Sequence, residues 1–227
     1  MNLVERVAEA KHLTGQTPEH IIGWALETFG DGLTIASSFG VEDVMLIDIA
    51  ARLTPHPDVF FLDTDLLFHE TYQTAKAMEA RYAIRLRRIR PELSLDQQAQ
   101  QMGEQLWAHD PDACCNLRKV QPLNQALTGY QAWVTGVRRE QSPTRAHAEA
   151  VEWDAKHNLV KINPLVMLST DDVWDYVKTH GIPYNPLHDM GFPSIGCMPC
   201  TRAIKPGEDP RAGRWSGFDK QECGLHL

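Results

Sequence analysis

Short uninterrupted apolar runs alternate along this chain with longer segments in which apolar residues return every three or four positions. Leu33-Thr34-Ile35-Ala36 and Val59-Phe60-Phe61-Leu62 are continuous rather than alternating, the pattern of strands covered on both faces of a parallel sheet. Residues 41–53 between them carry the helical period. Upstream, Thr17-Pro18 pairs an N-cap hydroxyl with proline at the first helical position, Ile21, Ile22, Trp24, Ala25 and Leu26 form an apolar face, and Gly30-Asp31-Gly32 stops the helix. Downstream the pattern predicts a helix over 66–81, a strand over 83–89, a Gln-rich helix near 95–107, a helix carrying Cys114 and Cys115, and strands at 132–136 and 159–162. Ser169-Thr170-Asp171-Asp172 caps a last helix through Val177, closed by Gly181 and Pro183. The succession predicts an α/β fold with a doubly wound, mostly parallel sheet. Beyond it, residues 181–227 hold six prolines and seven glycines and read as an irregular C-terminal tail rather than a second core.

Composition narrows the class. At 227 residues the chain can bury roughly 70% of its unfolded surface, and 43% hydrophobic with 23% charged residues is an ordinary globular balance. Lysine and arginine total 22 against 30 aspartates and glutamates, a net charge of −8 that opposes nucleic acid and anionic lipid. Local cations stand out against it: the Arg85-to-Arg90 segment, Arg118-Lys119, Arg138-Arg139 with Arg145, and Arg202 through Lys205, Arg211 and Arg214. The N-terminus does not read as a signal peptide, and no 18-residue apolar segment is present to span a bilayer. With five cysteines, an odd number, the expectation is a reducing cytoplasm, where close cysteine pairs mean metal or redox chemistry more often than disulfides.

Four places carry candidate chemistry. Ser37-Ser38-Phe39-Gly40-Val41-Glu42-Asp43 follows a strand and opens a helix, so its hydroxyls, free backbone N–H groups and Gly40 suit an anion, although a serine-glycine turn is also ordinary punctuation. Leu62-Asp63-Thr64 ends the next strand, where Asp63 either holds a ribose or base or caps the following helix. Four cysteines form two close pairs, Cys114-Cys115 and Cys197-x-x-Cys200, read either as metal ligands or as buried small hydrophobes. Adjacent helical residues point about 100° apart, which hinders convergence on one zinc ion; a four-iron cube offers each thiolate a separate corner and is favoured over zinc. Cys223, in the last five residues, is either a frayed terminus or a reactive thiol whose ionisation Lys119, Arg211, Arg214 or His226 would favour.

Taken together, Ser-Ser-Phe-Gly-x-Glu-Asp, Leu-Asp-Thr, Cys-Cys-x-x-x-Lys, Thr-Gly-x-Arg-Arg-x-x-Ser, Gly-Cys-x-x-Cys-Thr, Arg-x-Gly-Arg-Trp and the terminal Glu-Cys-Gly-Leu-His resemble the assimilatory adenylyl-sulfate reductases of the phosphoadenylyl-sulfate reductase family. The motifs run from about residue 34 to 226. The resemblance implies a sheet related to the ATP-pyrophosphatase (adenine nucleotide alpha hydrolase-like) fold. It implies reduction of adenosine 5′-phosphosulfate to sulfite and AMP with electrons from thioredoxin, in sulfate assimilation toward cysteine. Carried onto matching positions, it makes Cys114, Cys115, Cys197 and Cys200 ligands of a 4Fe-4S cluster and Cys223 the nucleophile that becomes an S-sulfocysteine. Lys119, Arg145, Arg211 and Arg214 would grip the phosphosulfate, and Ser37, Ser38, Leu62 and Gly136 would line the nucleotide. Gly40, Asp63, Arg138 and His226 complete the expected substrate-binding set. The implied organisation is a nucleotide-binding reductase domain over 1–205 with its iron-sulfur site, and a mobile tail over 206–227. Where the family usually reads Leu-Asp-Thr-Gly, this chain has Asp65.

Two other classes compete. One is an ATP-pyrophosphatase-type sulfur-transfer or tRNA-modifying enzyme, disfavoured by Phe39 in the loop and by the acidic balance. The other is a non-enzymatic iron-sulfur or zinc redox sensor, for which Cys223 would be dispensable. Within the family, cluster-bearing members generally favour the substrate without a 3′-phosphate, with phosphoadenylyl-sulfate or dual specificity as the alternative. The sequence leaves open whether the chain forms a homo-oligomer.

Overall fold

The computed structural model of the chain describes residues 2–220 and 222–225. Six strands, β1 (Leu33–Ser37), β2 (Asp58–Leu62), β3 (Arg85–Ile89), β4 (Ala132–Val134), β5 (Val151–Asp154) and β6 (Leu159–Ile162), form one sheet in the order β3-β2-β1-β4-β6-β5. β4 runs parallel to both β1 and β6, and β5 lies antiparallel to β6 at the edge. The order turns back between β1 and β4, so the crevice beyond their carboxyl ends is where such a sheet offers a ligand site. Ser37 and Gly136 stand there.

The helices are α1 (Leu3–Glu9), α2 (Pro18–Phe29), α3 (Val41–Leu53), α4 (His69–Arg81), α5 (Leu95–Met102), α6 (Leu106–His109), α7 (Pro111–Cys115), α8 (Gln121–Leu127) and α9 (Thr170–Thr179). Thr17 caps α2 by accepting from the His20 backbone, and Ser169 caps α9 in a reciprocal box with Asp172. Two segments depart from the sequence pattern. The Gln-rich helix is broken after Met102 because Gly103 and Gln105 adopt φ of 88° and 51°, which no helix accommodates. α4 starts at His69 rather than near residue 66, since Leu66 is buried and Leu67 pairs as an antiparallel bridge with Cys197. β5 and the capped α1 were not evident in the pattern.

The chain forms two compact units. The first comprises Met1–Phe60, Ala75–Arg87 and Leu127–Tyr184, and its core is made by Ile35, Val59, Phe60, Trp133, Val134, Val160 and Ile162 of the sheet with Val44, Leu46 and Ile47 of α3. Trp133 is buried with its indole N–H donating to Asp154 at 3.1 Å, so it brings no unpaired polar group inside. The second comprises Phe61–Thr74, Arg88–Ala126 and Asn185–Leu227. Its small core gathers Leu66, Leu106, Cys114 and Cys197, flanked by Leu95, Trp107, Leu117 and Cys200.

Two buried carboxylates of α3 fix the first unit's frame. Asp48 accepts hydrogen bonds from Tyr82 (2.7 Å) and from Tyr176 of α9 (2.8 Å), and pairs with Arg52 at 3.1 Å. Asp43 clasps the β1–α3 loop, its Oδ2 accepting from the Ser38 backbone N–H (2.5 Å) and hydroxyl (2.8 Å). Burial pushes the Asp43 carboxyl up from 3.8 to about 6, against the lowering effect of the Ser38 and Gly40 hydrogen bonds and with a small further rise from Glu42. Asp48→Ala removes the acceptor shared by both tyrosines and is expected to lower stability by about 2–4 kcal/mol in denaturant unfolding. The folded state binds the Asp43 proton more tightly than the unfolded chain does. Its contribution is therefore most favourable below the unfolded value and is lost as pH rises from about 4 to about 6. Asp43→Asn, which keeps the acceptor for Ser38, should flatten the stability profile across that window and raise stability near neutrality by about 1–3 kcal/mol.

Candidate functional site

The β1–α3 loop is shaped by its own polar side chains. Phe39 sits in the left-handed region at φ 57° with its ring fully buried, and its backbone N–H donates to the Ser37 hydroxyl at 3.0 Å. Gly40 is the N-cap of α3 and supplies no capping side chain, which leaves the first-turn donors of that helix to other acceptors. Gly136 packs against the same turn so closely that a Cβ there would lie 2.6 Å from Asp43 Oδ1 and 2.9 Å from Glu42 Cβ. No other residue fits.

Acidic residues in the first turn of α3 would repel an anion if left unpaired. Glu42 is instead held by Arg138, whose Nη2 and Nε reach Glu42 Oε1 at 2.9 and 3.1 Å, and by Gln141 Nε2 at 3.0 Å. Arg138 is itself buried and also donates to Glu140, the Leu168 carbonyl and Thr170. Its guanidinium is thus engaged by protein acceptors that keep the loop in shape. Gln141 carries the network on to Arg145.

In the second unit, the segment after β2 forms a second polar turn. Asp63 is fully buried; it accepts from Tyr72 (2.5 Å), from the Asp65 backbone N–H (3.0 Å) and from Arg88, with Arg90 at 3.6 Å. Burial alone would raise its carboxyl, but these donors outweigh it and the net direction is down. The carboxylate therefore faces inward, and Asp63 shapes the Leu62–Thr64 turn through its own bonds. Thr64 Oγ1 lies 3.2 Å from Cys197 Sγ, and the Met198 N–H donates to the Leu66 carbonyl at 2.7 Å.

All four paired cysteines line one small cavity with Leu66, Pro111, Arg118, Lys119 and Trp215. Cys114 and Cys115 end α7, and the helix then widens into a π turn over Asn116–Val120 before α8, a deviation that recurs at functional positions. Cys197 and Cys200 flank a single 3₁₀ turn. Burial, reinforced by the neighbouring sulfurs, pushes Cys114 up to about 12 and Cys200 to about 11; Cys115 also rises, burial outweighing Lys119 and Lys220. Among the described residues no group of three His, Cys, Asp or Glu side chains is placed to hold a metal ion. The four sulfurs share an apolar pocket with two cations, Arg118 and Lys119, in its wall, a donor set of the soft type that suits zinc or an iron-sulfur group.

Cations and the C-terminal segment meet at this cavity. Lys119 would be pushed down by burial, but the sulfurs of Cys197, Cys223 and Cys115 reverse the direction and hold it up. Arg214 stacks 4.5 Å over Trp215, donates to Ser194 at 3.2 Å, and lies where a Cβ on Gly196 would come within 2.3 Å of its Nη2. The strand-like pairing of Thr201 with Arg214, and the Trp215 N–H donating to the Cys200 carbonyl at 3.0 Å, tie that segment to the second cysteine pair. The tail is held by Lys220 on Asp112, by Lys220 over the Trp215 ring, and by Arg211 on the buried Glu222 at 3.5 Å. Gly224 comes against Val120 of the π turn.

Of the expected site residues, Ser37, Ser38, Gly40, Gly136, Arg138 and Arg145 gather around one loop of the first unit. Leu62, Asp63, Lys119, Arg211, Arg214, Cys223 and the four paired cysteines belong to the second. His226 lies outside the described residues. Arg118 and Gln98 were not among the expected site residues, and Trp215 and Gly196 entered only as positions of the motifs around the cysteines and arginines. Only Gly196, beside Cys197 in a Pro/Gly-rich stretch, carried a signal that close backbone approach was needed.

With the geometry in place, comparison with known proteins is informative. The phosphoadenosine phosphosulfate reductase domain matches residues 32–203. An adenosine 5′-phosphosulfate reductase of Geobacillus sp. (strain WCH70) is 49% identical over 208 residues, covering 91% of this chain and 88% of that protein. Adenosine 5′-phosphosulfate reductase 2 of Bacillus subtilis (strain 168) is 44% identical over 220 residues, covering 96% and 93%. Among solved structures, phosphoadenylyl-sulfate reductase from Candida auris in a phosphate complex superimposes with a TM-score of 0.75 at 26% identity, over 88% of this chain and 97% of that one. The α/β sheet, the loop after β1 and the matches along nearly all of its length agree: this chain belongs to the phosphoadenosine phosphosulfate reductase domain family.

Proposed function

We propose that this chain is an assimilatory reductase that converts adenosine 5′-phosphosulfate to sulfite and AMP, with Cys223 as nucleophile and thioredoxin as electron donor. The observation that carries the reading is Lys119, a half-buried cation in the wall of the cavity lined by the four paired cysteines, in a chain about half identical to reductases of that name. The greater identity to these proteins than to the phosphoadenylyl-sulfate reductase favours the substrate without a 3′-phosphate.

Each residue has a chemical task. The first-turn backbone N–H groups of α3, which begins at Val41, and the positive end of that helix receive the nucleotide's phosphate, with Ser37, Leu62 and Gly136 lining it and Arg145 adding charge. Lys119, Arg211 and Arg214 neutralise the phosphosulfate and the charge that builds on the departing phosphate oxygen. The Cys223 thiolate attacks the sulfonate sulfur; an S–S bond forms, the S–O bond to phosphate breaks, and AMP leaves with the electron pair. A thioredoxin thiolate then attacks Cys223 Sγ and expels sulfite, and the second thioredoxin thiol resolves the mixed disulfide, so that thioredoxin is oxidised by two electrons and the sulfonate reduced. The tail over 206–227 closes for the first step and opens for the second. Cys114, Cys115, Cys197 and Cys200 would hold a 4Fe-4S cluster, which supplies a fixed charge beside Lys119.

Cys223→Ser is expected to cut turnover by at least about 10³-fold and abolish the protein-bound sulfonate seen by mass spectrometry, while nucleotide binding and iron content stay as in the parent. Full turnover in that variant would overturn the mechanism. Anaerobically purified protein should contain iron and acid-labile sulfide at the 4Fe-4S ratio, and Cys197→Ser should lose most of both. A colourless, iron-free and fully active preparation would rule the cluster out.

A further inference from the structure

Arg118 is the most deeply buried cation of the second unit, 1% exposed, in the π turn three residues beyond Cys115. Its donors are all directed at one neighbourhood. Nε donates to the Thr64 carbonyl at 2.6 Å, Nη1 to Gln98 Oε1 at 3.0 Å and the Leu93 carbonyl at 3.3 Å, and Nη2 to Asp65 Oδ2 at 2.6 Å. Asp65 is the carboxylate paired with it. The same short loop grips the other cysteine pair: Thr64 Oγ1 touches Cys197 Sγ, the Leu66 carbonyl accepts from Met198, and Leu67 bridges to Cys197. Residues 64–67 therefore stand between the two halves of the sulfur set, joined to one by Arg118 and to the other by Thr64, Leu66 and Leu67.

Asp65 occupies this turn at φ 56°, where glycine is the low-strain residue. An aspartate held there against that preference, with its side chain on a buried guanidinium, does something that glycine cannot. We propose that Asp65 is a positioning residue. Its ion pair with Arg118 locks the 64–67 loop to the cysteine helix and so sets the separation of Cys197 and Cys200 from Cys114 and Cys115. Removing the carboxylate leaves a buried cation without its counter-charge. Arg118 then shifts, the loop follows, and the four sulfurs lose their register. The inference rests on the cluster reading above.

The test follows the bleaching of visible absorbance and the visible circular dichroism of anaerobically purified holoprotein on exposure to air, for the parent, Asp65→Gly and Asp65→Asn. Asp65→Gly relieves the backbone but removes the staple, and is expected to lose its iron about tenfold faster, with an altered dichroism spectrum. Asp65→Asn tolerates the turn and keeps an acceptor for Nη2, and is expected to be partly rescued, within about threefold of the parent. A purely structural role would lower the melting temperature of all forms without changing the dichroism of the loaded protein. Retention and spectra of Asp65→Gly equal to the parent's would overturn the proposal. If Asp65→Gly does not fold, parental retention and dichroism in Asp65→Asn together with Asp65→Ser overturn it in the same way. A parent protein that carries no iron would instead refute the cluster reading, an outcome distinct from equal retention among iron-bearing forms.

Discussion

Four sulfurs cannot be gathered in an apolar pocket as thiolates unless positive charge is brought in with them. Cys114 and Cys200 feel this directly, pushed up to about 12 and about 11 by burial and by one another. The arrangement of the second unit answers that constraint. The π turn after Cys115 places Arg118 and Lys119 in the wall of the same cavity, and Trp215 closes it from the tail side. Lys119 pays the usual burial cost of a lysine, yet its direction is up, because its electrostatic partners are sulfurs. The Cys223 and paired-cysteine sulfurs all act on the same cation, Lys119.

Backbone proximity sets the rest. At Gly136 and at Gly196 the absence of a side chain lets a charged group approach to within a distance that no Cβ would permit: the Asp43 and Glu42 turn in one case, the Arg214 guanidinium in the other. In the first, the gain is a compact loop whose acidic first turn is neutralised by Arg138. In the second, it is an arginine held against the Trp215 ring and the backbone beside Cys197, with Ser194 accepting from it.

The sequence exposed those parts of the fold whose burial is symmetrical. β1 and β2 are covered on both faces and read as continuous apolar runs, and α2 and α9 announce themselves through caps. β5 did not, because Val151-Glu152-Trp153-Asp154 is an edge strand with a single fully buried residue, lying in a polar stretch. The break between α5 and α6 depends on Gln105 adopting a left-handed conformation, for which glutamine gives no warning. The cysteine spacing pointed to a shared pocket and the four sulfurs line one, but nothing local revealed that Thr64 would touch Cys197 across 133 residues. Arg118 stood in the sequence only as half of a local basic pair. Its burial follows from the widened helical turn, which has no periodic signature. Nor did the sequence reveal the partners of Arg138 and Asp63, which are Glu42 for the first and Tyr72 and Arg88 for the second.

A net charge of −8 on a protein proposed to bind a polyanion looks contradictory until the carboxylates are followed to their partners. Glu42 is held by Arg138, Asp63 by Arg88 and Tyr72, Asp65 by Arg118, and Glu222 by Arg211, while burial moves Asp43 toward its neutral form. The acidic groups nearest the candidate site are thus already compensated, and the formal charge describes the outer surface more than the loops. Glu222 differs from the others because it is the residue next to Cys223. Its carboxylate lies 3.5 Å from Arg211 Nη2, so the cation expected to meet an anion and the residue beside the thiol are already in contact.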